Sequence, residues 1–507
     1  MILSKENLTN ITAAGIQKPA DGCFELPERV LQFGTGVLLR GLPDYFIDKA
    51  NKQNVFGGRV LVVKSTGKGG TDEYALQNGL FTHYIKGVEN GASKEETVIN
   101  ASISRVLSAA EQWGEVIDCA QNENMQIIIS NTTEVGLTYL PGDDLKAAPP
   151  KSFPGKLTAF LYARYLAFNG AADKGMVIIP TELIPDNGLV LKTICIKLAI
   201  ESNLGEGFIA WMTESNDFCN SLVDCIVPGA LPAHEAEEIA GINGYSDALQ
   251  ITSESFRLWV IETTNKRSRE TLSFARVDEG VIITDNIEKF RELKLRLLNA
   301  THTFTCGLAV LSDFSTVKEA MANSFFEAFI SSLMLDEIAP VLVGNSGITG
   351  QEVTAFAGKV MDRFRNPFIE HQWLSICMQY SSKLAMRCVP LIQEYYRRQK
   401  QVPQHMAAGI GAYILFMRSV KNKEEQYTGR AWGKPYTITD EKAETLYQHW
   451  LNASPECAVQ AILSDAQLWG ANLSVLPGFE KAVLQTVRKF VEQAAGTPVH
   501  QAELLAV

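Results

Sequence analysis

The sequence predicts an α/β fold, in which a doubly wound, Rossmann-type domain over residues 1–284 is followed by an all-α domain over residues 285–507. In the first half, short apolar runs alternate with helical segments. Gly34 and Gly36 stand between one of these runs and a helix, and helical periodicity dominates after Thr284. A chain of 507 residues is also too long for one hydrophobic core, so two domains are expected.

The first half contains five short apolar runs that predict buried strands, at positions 29–33, 59–64, 103–107, 125–130 and 176–181. A helix is predicted at 156–168, and Asn90-Gly91 predicts the turn of a hairpin over residues 80–100. Another short strand is predicted at 281–284. Strands that alternate with helices in this way are typical of a parallel sheet with helices on both faces.

The second half, from residue 286 onward, has few strand candidates. Its helical periodicity is interrupted at 344–350, Pro367, Pro390, Pro403 and 429–435. Given the usual length of helices, this segment predicts a helical domain of about ten helices. Because ligand sites commonly form where domains meet, we expect the active cleft between the two domains.

Composition and charge argue against several classes of partner. The net charge of −11 argues against nucleic acid and anionic membranes, because both require a basic surface. No apolar run is long enough to cross a bilayer, and the N-terminus lacks the features of a signal peptide. The nine cysteines are scattered and form no C-x-x-C pair, so we interpret them as reduced thiols of a cytoplasmic protein. A small molecule is the expected partner, and the oligomeric state stays open.

The segment 285–304 carries three polar side chains within an otherwise apolar helix. On an α-helix, Asn299 lies about 140° and His302 about 80° around the axis from Lys294, so all three can face one cleft. An amine can transfer a proton, an amide can stabilise an oxyanion and an imidazole can hold a hydroxyl. A core helix with satisfied polar groups is the alternative. Three polar groups favour a site, because each destabilises the fold unless it has a partner.

Gly34-x-Gly36 supplies two of the three glycines of a dinucleotide-binding turn, where the backbone can approach a pyrophosphate. Leu39 stands where the third glycine is expected, and Arg40 could contact a phosphate instead. The acidic residue that usually binds the ribose is replaced by Lys64, so the residues leave NAD and NADP both open. An ordinary strand–turn–helix is the alternative.

Polar residues also follow later strands. Asn131, Thr132 and Glu134 come after the strand at 125–130, where they could contact the nicotinamide or ribose, or cap a helix. In the second half, a basic loop at residues 363–367 is followed by His371 and Lys383, whose spacing could place them in the cleft. The further candidates are Phe33 and Val37 beside the glycine turn for the cofactor, and Arg365, His371 and Lys383 for the substrate.

The glycine turn, the Asn187-Gly188 pair, the K-x4-N-x2-H helix and the basic segment 363–383 follow one another in an order that resembles the polyol-specific long-chain dehydrogenase family. That family includes mannitol 2-dehydrogenase, fructuronate reductase and tagaturonate reductase. The resemblance covers essentially the whole chain and includes the stretches LQFGTGVLLR, LLNATHT and RFRNPFIEHQWLS. Ser375 stands where mannitol-type members carry an arginine, which favours the branch that acts on uronates.

The resemblance implies a metal-independent hydride transfer, with NADH reducing the hexuronate tagaturonate to altronate in hexuronate breakdown. Reduction of fructuronate or of fructose is the near alternative, and a dinucleotide sensor without turnover is the remote one. A cation should pair with the substrate carboxylate, with Arg365 preferred over Lys383. The other implied roles are Lys294 as acid/base, Asn187 and Asn299 as the oxyanion pair, and His302, Asp224 and Lys383 as substrate-binding residues.

Overall fold

A computed structural model describes residues 1–65, 70–132 and 134–494, except for the side chains of 134, 135, 493 and 494. Residue contacts divide the chain into two compact units. The first unit comprises Met1–Gly87 and Ser93–Ile287, and the second comprises Val88–Ala92 and the chain from Glu288 onward.

The central sheet of the first unit contains six strands, which are β1 (Glu28–Phe33), β2 (Arg59–Lys64), β3 (Ile103–Ser108), β4 (Ile127–Ser130), β5 (Val177–Pro180) and β6 (Asp217–Phe218). They are parallel and lie in the order β3-β2-β1-β4-β5-β6. Strands β1, β2 and β3 follow one another toward one edge of the sheet. The chain then returns to the other side of β1, where β4, β5 and β6 follow one another toward the opposite edge. In sheets of this order, dinucleotides bind at the reversal point, beyond the ends of β1 and β4. The predicted doubly wound sheet is confirmed.

Both faces of this sheet are covered by hydrophobic cores, which explains why its strands read as continuous apolar runs. Val30 packs into one core with Phe46 and Trp259, whereas the next residue, Leu31, packs into the other with Phe160. The helices of this unit are Val37–Gly41, Pro43–Lys52, Asp72–Leu76, Trp113–Asp118, Phe153–Ala167, Asn187–Glu201, Glu206–Glu214, Ala233–Asn243 and Lys266–Thr271.

Two smaller sheets accompany the central one. The predicted hairpin is present as Phe81–Glu89 and Ala92–Asn100, with Asn90 and Gly91 at positive φ in its turn. It belongs to a four-stranded sheet that also contains Ile16–Gln17 and Ile251–Glu254. The other sheet has three strands, Asn220–Asp224, Leu258–Glu262 and Val281–Thr284.

The second unit is predominantly helical, as predicted. It also contains a small antiparallel sheet, which the sequence did not predict, at Val420–Lys421, Tyr427–Ala431 and Lys434–Thr437. Its α-helices are Glu288–Leu293, Thr301–Leu311, Val317–Met321, Ser324–Ser332, Ala339–Leu342, Gly350–Phe364, Trp373–Ile376, Tyr380–Arg387, Val389–Gln399, Gln404–Phe416, Ala443–Trp450, Pro455–Ser464, Ala466–Trp469 and Phe479–Ala494.

Candidate active site

The helix that carries the K-x4-N-x2-H motif changes its winding inside the motif. The α-helical residues Glu288–Leu293 lead into a π-helical segment, Lys294–Ala300, which is followed by the α-helical residues Thr301–Leu311. The predicted angle of about 140° between Lys294 and Asn299 assumed an α-helix and is therefore wrong. Because π-helical hydrogen bonds join residues five apart, the wider turn brings Asn299 back toward the side of Lys294.

The side chain of Asn299 is available to a ligand. Its backbone carbonyl accepts a hydrogen bond from Thr303 Oγ1 at 2.7 Å. Its side-chain amide, by contrast, has no hydrogen-bond partner among the described residues, and the residue is only half-buried. Short π-helical segments occur frequently at functional sites, and this one exposes an amide that can donate to an oxyanion.

His302 lies in a pocket of aromatic rings directly after this segment. Its ring stacks on Phe364 at a centroid distance of 4.2 Å and meets His371 and Trp373 edge-on at 5.3 and 5.9 Å. Burial lowers the pKa of His302 well below its ordinary value, and nearby positive charges act in the same direction. The imidazole is therefore neutral. Its Nε2 is buried without a hydrogen-bond partner in the described chain, so it can bind a ligand hydroxyl.

Three cations influence His302 through their charge, namely Arg363, Lys383 and Arg387. Lys383 Nζ donates to the carbonyl of Ile376 at 3.0 Å. Burial lowers the pKa of Lys383, and the charge of Arg387 adds to this effect. Like charges gathered around a neutral imidazole form a local basic site in an acidic protein, which is suited to an anionic substrate.

Arg387 is a candidate that the sequence analysis did not single out. Its Nη1 donates to Thr303 Oγ1 at 3.3 Å, while its Nε is buried without a partner in the described residues. A signal for it was present, because Arg387 follows Lys383 by four residues on the helix Tyr380–Arg387 and so shares its face.

Arg365 does not have the surroundings expected of a carboxylate-binding residue. It follows the helix Gly350–Phe364, and its side chain is 42% exposed. Its Nε donates to Glu327 Oε1 at 2.7 Å. An exposed guanidinium that is already paired with Glu327 is poorly suited to a second carboxylate, so carboxylate binding by Arg365 stays a prediction that its surroundings do not favour.

The glycine turn after β1 fits a dinucleotide. Gly34 has a φ of +127°, and a Cβ there would lie 3.0 Å from Leu39 Cδ1. Leu39 is fully buried beneath the turn, which explains why it replaces the third glycine. A Cβ at Gly36 would meet nothing within 4 Å, so open space lies before the helix Val37–Gly41, where a pyrophosphate could approach the backbone N–H groups.

Two residues beside this turn do not have the surroundings expected from the sequence. Arg40 is buried and donates to the carbonyl of Leu249, with its guanidinium 5.5 Å from the ring of Phe81. It therefore faces the protein interior, and its contact with a phosphate stays a prediction that these surroundings do not favour. Phe33 is fully buried with its ring against Phe153. Only its backbone is available to a cofactor.

The polar residues after β4 are linked to the end of β5. Asn131 Nδ2 donates to Thr181 Oγ1 at 3.0 Å. The backbone N–H and the hydroxyl of Thr132 both donate to Glu182 Oε1, at 2.8 and 3.0 Å. Burial raises the pKa of Glu182, although these hydrogen bonds oppose the rise. Glu182, which the sequence did not indicate as a site residue, thus orders the loop. The side chain of Glu134, another predicted residue of this segment, lies outside the described residues.

The side-chain amide of Asn187 is also hydrogen-bonded to other groups of the protein. It is 1% exposed, and its Nδ2 lies 3.0–3.1 Å from three backbone carbonyls, those of Pro180, Glu182 and Ser221. Its Oδ1 accepts from the N–H groups of Gly188 and Ser221, both at 2.9 Å. Both amide hydrogens are used in this way, and they fix the start of a helix. Donation to an oxyanion would require one of them to change its acceptor, so the role of Asn187 as an oxyanion donor stays a prediction.

Three other predicted residues take positions that leave their roles open to test. Val37 is the first residue of the helix after the glycine turn. Lys64 is the buried last residue of β2, which is next to β1 in the sheet. Asp224 is the buried last residue of the strand Asn220–Asp224.

Within the ranges that the structure describes, no helix is both long and apolar enough to span a membrane. The same ranges contain no group of three His, Cys, Asp or Glu side chains placed to hold a metal ion. All nine cysteines are free thiols.

Comparison with known proteins assigns both halves of the chain. The mannitol dehydrogenase Rossmann domain matches residues 28–273, and the mannitol dehydrogenase C-terminal domain matches residues 286–491. The chain belongs to the mannitol dehydrogenase family. As a member of the mannitol dehydrogenase family, it is an oxidoreductase that acts on CH–OH groups with a nicotinamide dinucleotide.

Within the mannitol dehydrogenase family, the chain is similar to altronate oxidoreductases. It is 36% identical over 480 residues to that of Halalkalibacterium halodurans, covering 92% of each chain. It is 35% identical over 461 residues to that of Bacillus subtilis strain 168, covering 90% of this chain and 91% of the relative.

Solved structures of low sequence identity share the fold. The ternary complex of Pseudomonas fluorescens mannitol 2-dehydrogenase with NAD and D-mannitol is 23% identical, with a TM-score of 0.67 over 98% of this chain and 100% of the other. A substrate-free D-sorbitol dehydrogenase is 18% identical, with a TM-score of 0.79 over 99% and 100% of the two chains.

Proposed function

We propose that this chain reduces D-tagaturonate to D-altronate with NADH in the breakdown of hexuronates. Its similarity to altronate oxidoreductases over nine-tenths of the chain supports this substrate. The observation that carries the proposal is the π-helical turn, which holds Lys294 and Asn299 directly before the neutral His302. We also propose a cytoplasmic location, because free thiols are typical of reducing compartments.

The proposed mechanism assigns one task to each residue of the motif. When bound, the nicotinamide supplies the hydride for the keto carbon. Lys294 donates a proton to the carbonyl oxygen as that oxygen becomes an alkoxide, and it accepts the proton back in the reverse reaction. Asn299 donates a hydrogen bond to the same oxygen, a contact worth about 3 kcal/mol in comparable oxyanion sites. His302 Nε2 binds a neighbouring hydroxyl and so orients the substrate.

We propose that Arg387 and Lys383 bind the carboxylate of the hexuronate. The buried Nε–H of Arg387 has no acceptor among the described residues, and a carboxylate would supply one. A guanidinium presents two parallel N–H groups, which match the two oxygens of a carboxylate. Lys383 adds a second positive charge one helical turn away.

The first test replaces Lys294 by alanine. Turnover should fall about 100- to 10,000-fold, the usual contribution of general acid–base catalysis, while the Kd for NADH stays within a few-fold of the parent. An external primary amine should restore part of the rate. Lys289→Ala is the matched control, because Lys289 lies on the same helix and pairs with Glu352 at 2.7 Å. A Lys294→Ala variant that keeps a tenth of the parental turnover would exclude Lys294 as the acid/base.

The second test defines the substrate and the cofactor. Oxidation of NADH and of NADPH is measured in parallel against tagaturonate, fructuronate and fructose. We expect the highest kcat/KM for tagaturonate. We expect NADH to be the better of the two cofactors, because NAD is the cofactor in the mannitol 2-dehydrogenase complex of the same fold. A higher kcat/KM for fructose would contradict the proposed carboxylate requirement. Binding of NADH without turnover of any of these compounds would contradict the proposed reaction itself.

A further inference from the structure

A cavity of about 910 Å³ lies in the second unit beside the small antiparallel sheet. One wall is apolar and is formed by Leu311, Leu415, Phe490 and Val491. Leu311 follows His302 by nine residues on the same α-helix, a separation of about 13 Å along the axis. The cavity is therefore distinct from the candidate active site.

Another part of the lining carries positive charge without acidic partners. Arg418 and Arg430 both line the cavity, and the guanidinium group of neither forms a hydrogen bond or ion pair with any residue that the structure describes. Arg418 packs 5.1 Å from the ring of Trp450, which leaves its N–H groups available. Ser419 also lines the cavity, and its Oγ is buried without a partner in the described chain. The two guanidinium groups are exposed to water, whereas the Ser419 hydroxyl is buried and unsatisfied, and together these donors are suited to an anionic ligand.

Trp432 presents an indole ring at the edge of this cavity. The residue is 48% exposed, and its Nε1 donates to the carbonyl of Leu311 at 2.8 Å. Trp432 and Gly433 form a two-residue hairpin turn with φ of 50° and 75°. Such turns favour Asn, Asp or Gly at the first position, so a tryptophan is held there against the usual preference. Its hydrogen bond fixes the ring where it can contact a bound molecule.

We propose that this cavity binds a small organic anion with an aromatic or apolar body. The guanidinium groups of Arg418 and Arg430 bind the charged group, and Ser419 Oγ adds a hydrogen bond. The indole of Trp432 and the apolar wall contact the body. The volume falls within the range of small-molecule pockets, roughly 300–1,000 Å³.

The test uses the full chain saturated with NAD⁺, so that the dinucleotide site is occupied. Anilinonaphthalene sulfonate, an aromatic sulfonate, is titrated and its fluorescence is followed. We expect one site per chain, with affinity lowered about fivefold by Arg430→Gln and further by Arg418→Gln in the same chain. Lys434→Gln is the matched control, because Lys434 lies on the same hairpin but pairs with Asp313 at 2.9 Å, and it should change the affinity less than twofold.

Two results would overturn the proposal. One is equal affinity of the parent and the double arginine variant, with thermal unfolding showing that both are folded. The other is unchanged affinity together with an altered sedimentation coefficient in the variants, which would identify the surface as a contact between copies. Since both arginines are exposed, the single variants should fold and provide the measurement even if the double variant does not.

Competition then identifies the charged group. Adenosine 5′-monophosphate and benzoate are each added to the complex of the NAD⁺-saturated chain with the sulfonate. Displacement by the monophosphate alone would assign an aromatic phosphate, and displacement by benzoate alone would assign an aromatic carboxylate. Displacement by neither, at concentrations up to their solubility, would contradict a site for such anions.

Discussion

Arg365 and Arg387 belong to the same unit but have opposite surroundings. Arg365 is exposed and already paired with Glu327. Arg387 has a buried Nε without a partner in the described residues and lies close enough to His302 to influence its pKa. An unpaired buried donor gains more from a ligand carboxylate than a solvated pair does, because the pair must first be broken.

We therefore expect Arg387→Gln and Arg365→Gln to differ in their effect on substrate selection. A charge-assisted hydrogen bond is worth roughly 1.5–3 kcal/mol, so Arg387→Gln should lower kcat/KM for tagaturonate about ten- to 150-fold. Most of the loss should be in KM, and fructose reduction should change far less. Arg365→Gln should leave the ratio of the two specificity constants unchanged. An unchanged ratio in Arg387→Gln would remove this residue from the site.

Asp44 is a buried carboxyl group beneath the glycine turn. Burial raises the pKa of Asp44 to about 7, although a hydrogen bond from Gln32 opposes the rise. Gln32 Nε2 lies 3.3 Å from Asp44 Oδ2, and it also lies 3.4 Å from the carbonyl of Gly34. Gln32 Oε1 and Asp44 Oδ1 both lack a partner in the described residues. Protonation would give the Asp44 carboxyl group a hydrogen to donate, and the unpartnered Gln32 Oε1 belongs to the side chain that already contacts it.

This arrangement predicts that stability falls as pH rises from about 4 to 7. The pKa of Asp44 is raised on folding, so the folded state binds the proton more tightly, and its stabilising contribution is lost as pH rises through this window. The full difference would be at most about 4 kcal/mol. Asp44→Asn, whose amide can donate to Gln32 Oε1, should remove this dependence and be more stable than the parent at pH 8. Denaturant unfolding at pH 5 and pH 8 measures both effects.

Asp278→Asn is the opposite control for that experiment. Burial raises the pKa of Asp278, but the charge of Arg257 and a hydrogen bond from Lys49 outweigh it, so its pKa is lowered overall. Its contribution is present above the ordinary pKa and lost in acid. The Asn variant should therefore lose stability at pH 8. An Asp44→Asn variant that is also less stable at pH 8 would show that Asp44 is ionised in the folded protein.

At the level of single residues, the sequence was informative about residues that lie close to one another along the chain. The K-x4-N-x2-H side chains lie within one helical stretch, so their spacing was sufficient to group them as candidates. The surroundings of Arg40 and Arg365 could not be predicted because their partners are distant in sequence. Leu249 lies 209 residues from Arg40, and Glu327 lies 38 residues from Arg365. The charge of a side chain can be read from the sequence, whereas its partner depends on tertiary contacts.

The π-helical segment Lys294–Ala300 is an element that the sequence could not reveal. Its residue types suit an α-helix, and the hydrogen-bond pattern changes only in the folded chain. One additional residue in a turn of an α-helix creates such a segment, and the wider turn changes which side chains share a face. The element thus converts a regular helix into one that presents Lys294 and Asn299 together.

Deletion of Leu295 should restore regular α-helical winding and lower turnover about 100-fold. Removing one residue in this way leaves Lys294 about 20° around the axis from His302 but moves it about 1.5 Å along the axis, and a displacement of this size at a reacting group can slow the reaction about 100-fold. The helical content measured by circular dichroism should stay near that of the parent. Leu295→Ala, which keeps the length of the segment, is the control and should retain most of the activity. Parental turnover in the deletion variant would show that the π-helical turn is not needed for catalysis.

The small antiparallel sheet of the second unit was missed because two residues were interpreted as breaks. Gly429 lies inside the strand Tyr427–Ala431, where a Cβ would approach the ring of Tyr436 to 2.4 Å. Pro435 lies in the edge strand Lys434–Thr437, where a missing N–H is tolerated. A residue needed for close packing is difficult to distinguish in sequence from one that ends an element.

At the scale of the whole molecule, the alternation of apolar runs and helices predicted the doubly wound sheet and the helical second half. It did not predict β6, which has only two residues and forms an edge of the sheet. Nor did it predict the pairing of Ile251–Glu254 with Phe81–Glu89, in which Ile251 lies opposite His83. Such pairing joins segments far apart in sequence, and local periodicity carries no information about it.

The division into two units leads to a final prediction about where the dinucleotide binds. NADH at one hundred times its Kd stabilises the state that binds it by about 2.7 kcal/mol, which slows amide exchange through unfolding about 100-fold. In hydrogen exchange followed by mass spectrometry, peptides that cover β1 and β4 should show this protection. Gly36→Ala is the control, because its Cβ would meet nothing within 4 Å in the folded chain but would occupy the space expected for the pyrophosphate. That variant should exchange like the unliganded parent with or without NADH. Equal protection of the parent and Gly36→Ala, or protection confined to peptides of the second unit, would place the dinucleotide elsewhere.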